Sequence, residues 1–533
     1  MTTRLIASVL VVLGACGAPV RRFPMRAPMA VDADTTPFLP RPKAYKAPEI
    51  WDTIDNILFG PLVDVLAVRR AIRAKNVNAL DKVPDSSWFT NRIDSVAGNV
   101  DAFLRGACDE TAPDPAGPWT VVAGKPDGAN PGFQVKDATG QRYFFKPDGG
   151  RSTERQSIAD LIGARVHHAA GFNTACTRII YIQPSAFTIA PDAKAENFVG
   201  DKEPFTPEML QKVMDYGVKR SDGAVRGGLS QFLPGKPLGP WRDFGVRPDD
   251  PNDVIPHEDR RELRGSYVLG AWISHYDARE QNSMDMWQAP GDGQPGYVKH
   301  YQLDFGDCLG SMSGWDRVTR RRGHVYEVDW PVAFVELITL GLLPRPWRDP
   351  KMSPAGFNLG YFATEPFDPD SYSTAYPFGP YARVTEADAA WGARILARIT
   401  PEMVRALVLS ANLTDKVMER ELVKALLGRR EKLLRRFLTR LSPLARPRID
   451  AGRLCVTDAR IEGGLAVRGA LTASQDGRAL AIERGRDAAE SCVGPLSPAD
   501  YTLVELRADD TRPLRVHVYR QDGALHIAGL DRE

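Results

Sequence analysis

His275-Tyr276-Asp277-Ala278-Arg279-Glu280-Gln281-Asn282 is followed further along by Leu303-Asp304-Phe305-Gly306-Asp307-Cys308-Leu309-Gly310. In the first stretch an acid and an amide stand on either side of four residues. In a loop after a helix, that spacing lets the Asp277 carboxylate face an acceptor while the Asn282 amide oxygen turns back toward a cation. In the second stretch Asp304 ends a strand pattern, where a carboxylate can bridge a divalent cation to phosphate oxygens. Phe305 can pack inside, and Gly306 lets the backbone turn sharply.

The two stretches are joined by two strand-like runs, between Met284 and Tyr301, around Gly291-Asp292-Gly293-Gln294-Pro295-Gly296. That turn matches G-x-G-x-x-G, but a dinucleotide site needs a helix after it. Here Pro295 lies inside the motif and a strand pattern follows, so a hairpin is expected. A hairpin sets Asn282 beside Asp304, as a shared cation site requires.

Upstream, WTVVAG, FQVKD and YFFK read as short strands, and YFFK ends at Lys146. Gly124 to Gly132 spell GKPDGANPG, a loop whose backbone N–H groups, with Gly128 and Gly132 giving room, can cradle phosphates over Lys146. A desolvated Lys146 needs an acid. The following helix opens on a Thr153/Gln156 capping-box pattern and carries the apolar stripe Ile158, Leu161, Ile162 and Val166. Glu154, four residues before Ile158, lies on that inward stripe and is the expected partner. Asp160 falls off it and is the poorer candidate. Phosphoryl transfer asks for these parts: a held nucleotide, charge neutralised by metal and Lys, and an aimed acceptor.

HYDAREQN resembles the H-R-D-x-x-x-x-N catalytic loop, with His275, Asp277 and Asn282 in matching places. Together with Leu303-Asp304-Phe305-Gly306 it is similar to atypical branches of the protein-kinase-like superfamily, in particular HipA-type and phosphatidylinositol kinases. The resemblance covers about residues 115 to 440. It implies an α+β, bilobal protein-kinase-like fold with a β-rich N-lobe over 115–241 and a mostly helical C-lobe over 242–441. It also implies a catalytic Asp277, Mg²⁺ or Mn²⁺ held by Asn282 and Asp304, and ATP or another nucleotide bound by Lys146 paired with Glu154. GKPDGANPG departs from the family's glycine loop, and no Ala-Pro-Glu follows Asp304, so the acceptor-binding half is not that of ordinary protein kinases. The acceptor is left open among protein, lipid head group and glycan. Arg320-Arg321-Arg322 reads first as a solvated charge run.

The chain has 533 residues, more than one compact core usually holds. A hydrophobic share of 43% and a charged share of 26% are ordinary for a globular protein. A formal net charge of +2 gives no reason to expect nucleic acid as a partner. Leu5 to Cys16, LIASVLVVLGAC, is too short to span a bilayer and has a secretory-signal layout. Leu13-Gly14-Ala15-Cys16 resembles the bacterial lipobox, which implies a signal peptide over 1–16, lipid on Cys16, and an exported, membrane-anchored lipoprotein on the cell envelope. Residues 17–50 read as a Pro-rich tether and 51–114 as a helical extension. Residues 448–533 alternate like strands around Asp476-Gly477 and Asp522-Gly523, and read as a small all-β domain.

Cys455 and Cys492 form the one disulfide candidate, while Cys176 and Cys308 read as core residues. His257-Glu258-Asp259-Arg260-Arg261 has Arg261 where a zincin needs its second His. Export would place the site where ATP is scarce. That calls for a local nucleotide source, another donor, or binding without turnover. The sequence therefore carries two readings, a kinase-like transferase on the envelope and a catalytically inactive kinase-like scaffold.

Overall fold

The computed structural model describes residues 22–45, 54–66, 72–125, 131–150, 153–196, 202–310, 315–497 and 499–532. Cys16 and Gly128, singled out above for lipid and phosphate, lie outside these residues. The chain is a mixed α+β molecule.

Its first large sheet is built from β1 (Trp119–Lys125), β2 (Gly132–Lys136), β3 (Arg142–Pro147), β4 (Thr177–Ile182), β5 (Phe187–Glu196), β6 (Lys202–Pro204) and β7 (Val225–Gln231). The strand order is β4-β7-β3-β2-β1-β5-β6, so β3 is interior. Alternation along β3 buries Tyr143, Phe145 and Pro147 and turns Phe144 and Lys146 to the other face. Phe145 joins Trp119, Phe133 and Val225 in a core beneath the sheet.

Helix Arg155–Ala170 follows β3, and all its residues except His168 are buried. A helix apolar on one stripe but buried on every side has no solvent face. It lies between the sheet and a bundle formed by helices Arg261–Ile273, Glu386–Ala397, Pro401–Ser410 and Lys416–Phe437. Ile158, Trp272, Phe305, Leu396 and Leu434 belong to their common core. Glu154, not Thr153, is the residue that precedes the helix, and no side chain of the expected capping box closes it. Its first turn is satisfied instead by Asp148 at the end of β3, which accepts from Ser157 N at 2.8 Å.

A three-stranded sheet follows, made of β8 (Lys236–Gly239), β9 (Ser283–Gln288) and β10 (Tyr297–Gln302). Strands β9 and β10 are antiparallel, with Gln302 opposite Ser283, so the glycine-rich turn between them is a hairpin. From Leu444 onward the chain forms a four-stranded and a five-stranded sheet that share the core of Leu454, Val493, Val504, Leu506 and Val516.

Two expectations change. Cys176, read as an isolated core residue, is bonded to Cys108 across a separation of 68 residues, and Cys455 is bonded to Cys492. Cys308 is free and buried. The stretch read as a tether is packed where it is described. Phe23 sets its ring 4.8 Å from His517 in the last sheet, buried Asp34 accepts from Ser87 N and Oγ, and Phe38 packs edge-on against Trp287.

Candidate active site

Lys146 donates from Nζ to Asp304 Oδ1 at 3.0 Å, so the strand lysine and the Asp-Phe-Gly acid meet directly. Burial would lower the Lys146 ammonium, but Asp304 and Asp160 outweigh it and hold it above its ordinary value. The same ammonium, with a bond from the Gly306 N–H, holds the Asp304 carboxyl below the usual carboxylate range.

Asp304 has φ +52°, the left-handed region, which a short polar side chain tolerates and most residues avoid. Three neighbours hold it there. His275 sets its ring 5.1 Å from that of Phe305, Phe305 is buried against His167 at 4.6 Å between ring centroids, and Arg155 donates to the Cys308 carbonyl at 3.2 Å. A Cβ at Gly163 would overlap the Phe305 side chain, so this helical glycine is what lets the ring in.

Asp277 and Asn282 come together in the loop after helix Arg261–Ile273. Asn282 Nδ2 donates to the Asp277 carbonyl at 2.6 Å and to Asp277 Oδ2 at 2.9 Å. Leu303 N donates to the Asn282 carbonyl at 2.9 Å, continuing the β9–β10 ladder and tying the loop to the residue before Asp304. Arg279 Nε sits 2.9 Å from Asp277 Oδ1. Burial pushes the Asp277 carboxyl up to about 6, with Arg279 opposing and Asp307 adding to the rise.

Glu154 does not pair with Lys146. Its carboxylate accepts from Thr414 N at 3.0 Å and Asp415 N at 3.3 Å, just before helix Lys416–Phe437, and lies 3.8 Å from Arg226 Nη1. The acid facing Lys146 from the helix is Asp160, which the stripe argument ranked second. Burial pushes its carboxyl up to about 7 against the pull of Lys146. The sheet register explains the exchange. Gly228 on β7 pairs with Lys146 on β3, and a Cβ there would lie 4.0 Å from Asp160 Oδ2. The strand that carries Gly228 and pairs with Lys146 therefore lies over the helix face of Ser157 and Asp160, not over Glu154.

Gly132 opens β2 beside Lys146: a Cβ there would come 2.7 Å from the Phe145 carbonyl and 3.4 Å from Lys146 Cγ. Arg320 and Arg322 are not simply solvated. Arg320 is bound to Asp316 and the Tyr361 hydroxyl, and Arg322 stacks 5.0 Å from the Tyr276 ring centroid. Both line a cleft behind the Asp277 loop with His324 and Arg429.

Asp304 and Asn282 offer only oxygen, the donor set of a hard divalent cation. With Nδ2 donating to Asp277, the oxygen is the atom of the Asn282 amide left to act as a ligand. No group of three or more His, Cys, Asp or Glu among the described residues converges as a metal cage. A cation here would take Asp304 and Asn282 as its protein ligands, with phosphate and water completing its shell.

No family model and no curated protein matches the chain. Among solved structures it is similar to one described as the crystal structure of the Golgi casein kinase with Mn/ADP bound, at 10% identity over 73% of this chain and 86% of that one, with a TM-score of 0.28. A second, described as the crystal structure of the Golgi casein kinase, shares 12% identity over 74% of this chain and 92% of that one, with a TM-score of 0.21. Likenesses this weak establish neither fold family nor activity for this chain.

Proposed function

We propose that this chain is a Mg²⁺- or Mn²⁺-dependent kinase-like phosphotransferase, or nucleotidyl transferase, that uses ATP or another nucleotide and is tethered to the cell envelope through Cys16. The observation that carries the reading is the 3.0 Å contact between Lys146 and Asp304, with Asn282 and Asp277 fastened to the same segment by the Leu303–Asn282 bond. These contacts link groups that are distant in sequence and of the types that phosphoryl transfer needs, which supports the reading.

In this reading Lys146 binds donor phosphate oxygens, and Asp160 keeps the ammonium aimed. Asp304 and Asn282 hold the cation. When bound, it neutralises charge on the phosphates. Asp277 accepts a hydrogen bond from the acceptor hydroxyl through a lone pair that Arg279 and Asn282 leave open. In phosphoryl transfer the acceptor oxygen forms a bond to the terminal phosphorus, the bond to the leaving diphosphate breaks, and the acceptor proton passes to Asp277 or solvent. The disulfides Cys108–Cys176 and Cys455–Cys492 support the exported location, since such bonds persist in oxidising compartments.

The Arg279–Asp277 ion pair favours the second reading, a scaffold that binds without turnover, because it occupies the group that would orient an acceptor. Thermal shift of the full chain with ATP, GTP and ADP, with and without Mg²⁺, tests both. We expect Mg²⁺-dependent stabilisation that Asp304→Ala abolishes, and a mass gain on protein or acceptor that tells phosphate from nucleotide transfer. Binding without any mass gain selects the scaffold. No shift with any nucleotide, with Asp304→Ala behaving the same, sinks the transferase and favours the scaffold, in which the cation site is vestigial.

A further inference from the structure

Arg73, Asp81, Arg261, Arg394, Asp531 and Arg532 line one small pocket, four cations against two acids. They come from four parts of the chain. Arg73 and Asp81 precede the first strand, Arg261 opens helix Arg261–Ile273, Arg394 lies in helix Glu386–Ala397, and Asp531 and Arg532 lie at the end of the last strand. Three of the arginines crowd one carboxylate. Arg261 Nη1 donates to Asp81 Oδ1 at 3.0 Å, and Arg394 Nη2 and Arg532 Nε each donate to Asp81 Oδ2 at 2.8 Å. Arg261 has a second acid, Asp388, 2.6 Å from its Nε. Among the described residues Arg394 and Arg532 have Asp81 alone. Asp531 faces Arg515 at 3.8 Å. Burial and the neighbouring guanidiniums of Arg532 and Arg261 lower Arg394 to about 9 in spite of Asp81.

A guanidinium carries N–H donors on all three of its nitrogens, and several of them here are unspent. Arg394 donates only to Asp81 among the described residues, which leaves its Nε and Nη1. Arg532 gives Nη1 to the Ser442 and Leu444 carbonyls, which leaves its Nη2. Arg73 is exposed and donates to no described residue. None of these nitrogens is sealed from solvent, so all can reach a ligand that enters the pocket. We propose that the pocket binds a phosphate group, either free or at the head of a phosphomonoester. The lining has two positive charges in excess, and a phosphate group near neutral pH brings about −1.5 to −2. Asp81 already takes the place of a carboxylate. A tetrahedral group offers further oxygens to guanidiniums that arrive from three different elements, and the planar N–H fork of arginine fits phosphate oxygens in pairs.

The pocket is separate from the Lys146–Asp304 contact. Arg261 opens a helix of 13 residues, and the Asp277 loop follows its other end, about 20 Å away at 1.5 Å per residue. A phosphate bridging Arg394 and Arg532 ties helix Glu386–Ala397 to the C-terminal sheets. The inference does not rest on the transferase reading.

The test titrates the full chain with inorganic phosphate, and separately with glycerol 3-phosphate, by isothermal titration calorimetry at fixed ionic strength set with chloride. We expect saturable binding that Arg394→Gln weakens at least about tenfold and Arg73→Gln at least about threefold, since charge-assisted bonds are lost. Lys146→Gln, in the other site, should leave the affinity within about twofold. Circular dichroism confirms that each variant is folded. Arg73 has no described partner to lose, so Arg73→Gln decides the question even where Arg394→Gln does not fold. Tighter binding of glycerol 3-phosphate supports the proposal with a phosphomonoester as the ligand, and equal or weaker binding supports it with free phosphate. No binding of either compound by the unmutated chain overturns the proposal. Unchanged affinity in either folded arginine variant overturns it, as does loss of binding in Lys146→Gln, which would place the phosphate beside Asp304 instead.

Discussion

Replacing Glu154 separates a structural role from a catalytic one. The sequence pairs it with Lys146, whereas the structure makes it the acceptor for the Thr414 and Asp415 N–H groups and a neighbour of Arg226. A bond from a neutral donor to a buried carboxylate contributes about 1.5–3 kcal/mol net. Glu154→Ala removes the acceptor for two such donors and leaves Arg226 with Asp148 as its remaining carboxylate. The expected cost is about 3–5 kcal/mol. Glu154→Gln keeps one acceptor oxygen and should cost about half of that. Urea unfolding followed by near-ultraviolet circular dichroism measures the loss. Nucleotide affinity of the protein that remains folded should stay within about twofold of the original. Asp160→Ala is expected to do the reverse, weakening Mg²⁺-nucleotide binding about tenfold, or about 1.4 kcal/mol, with a smaller effect on unfolding. A Glu154→Ala chain that unfolds at the original urea concentration but binds nucleotide tenfold more weakly would refute this division of labour.

Two further outcomes follow from groups away from the cleft. Asp243 accepts from Gly379 N at 2.9 Å, and burial pushes its carboxyl from 3.8 up to about 6 despite that bond. Because the folded value is the higher one, its contribution to stability is complete below about pH 4 and is lost as pH rises through 6. Asp243→Asn should therefore gain up to about 3 kcal/mol relative to the original chain between pH 4 and pH 8, and equal urea midpoints at pH 8 would contradict this. Joint replacement of Cys108 and Cys176 by Ser opens a bridge spanning 68 residues and should cost about 2–5 kcal/mol in urea unfolding, with a change under 1 kcal/mol counting against it.

The parts of the site that were legible in the sequence are those set by short-range rules. A period of two along YFFK puts Lys146 on the face away from the Phe145 core. The turn chemistry of residues 291–296 predicts the hairpin that brings Asn282 to Leu303. What was illegible depends on partners far along the chain. No spacing rule joins Cys108 to Cys176, and nothing near Pro24 or Phe38 announces the surfaces on which 22–45 packs. Arg279 stands inside the motif, but its bond to Asp277 depends on how the loop folds. The arginines at 320 and 322 looked like a solvated run because the aromatic rings of Tyr276 and Tyr361 that receive them come from elsewhere in sequence.

The exchange of Glu154 for Asp160 shows why a helical stripe is a poor guide when the helix is enclosed. A stripe points to a core only when the opposite face meets water. Helix Arg155–Ala170 meets the sheet on one side and helix-bundle side chains on another, so an acid off the stripe is still buried and still needs a cation. Glu154 precedes the helix with φ −138°, outside the turn that would aim it along Ile158. Six residues further on, at about 100° per residue, Asp160 points to a different side. Which of the two meets Lys146 is then decided by the sheet, where Gly228, the strand partner of Lys146, lies over the helix face that carries Ser157 and Asp160. On the helix itself Gly163 is decisive, because its bare backbone admits Phe305 beside the turn at Asp304. Glu154, Arg226 and Asp148 bind the start of the helix to the 411–415 segment, since Arg226 also donates to the Ala411 carbonyl at 2.9 Å. Without Glu154, Arg226 still holds Asp148 and the Ala411 carbonyl, so the start of the helix stays tied to that segment. Asp160 then keeps its place beside Lys146, which is why the loss of Glu154 falls on stability and not on nucleotide affinity.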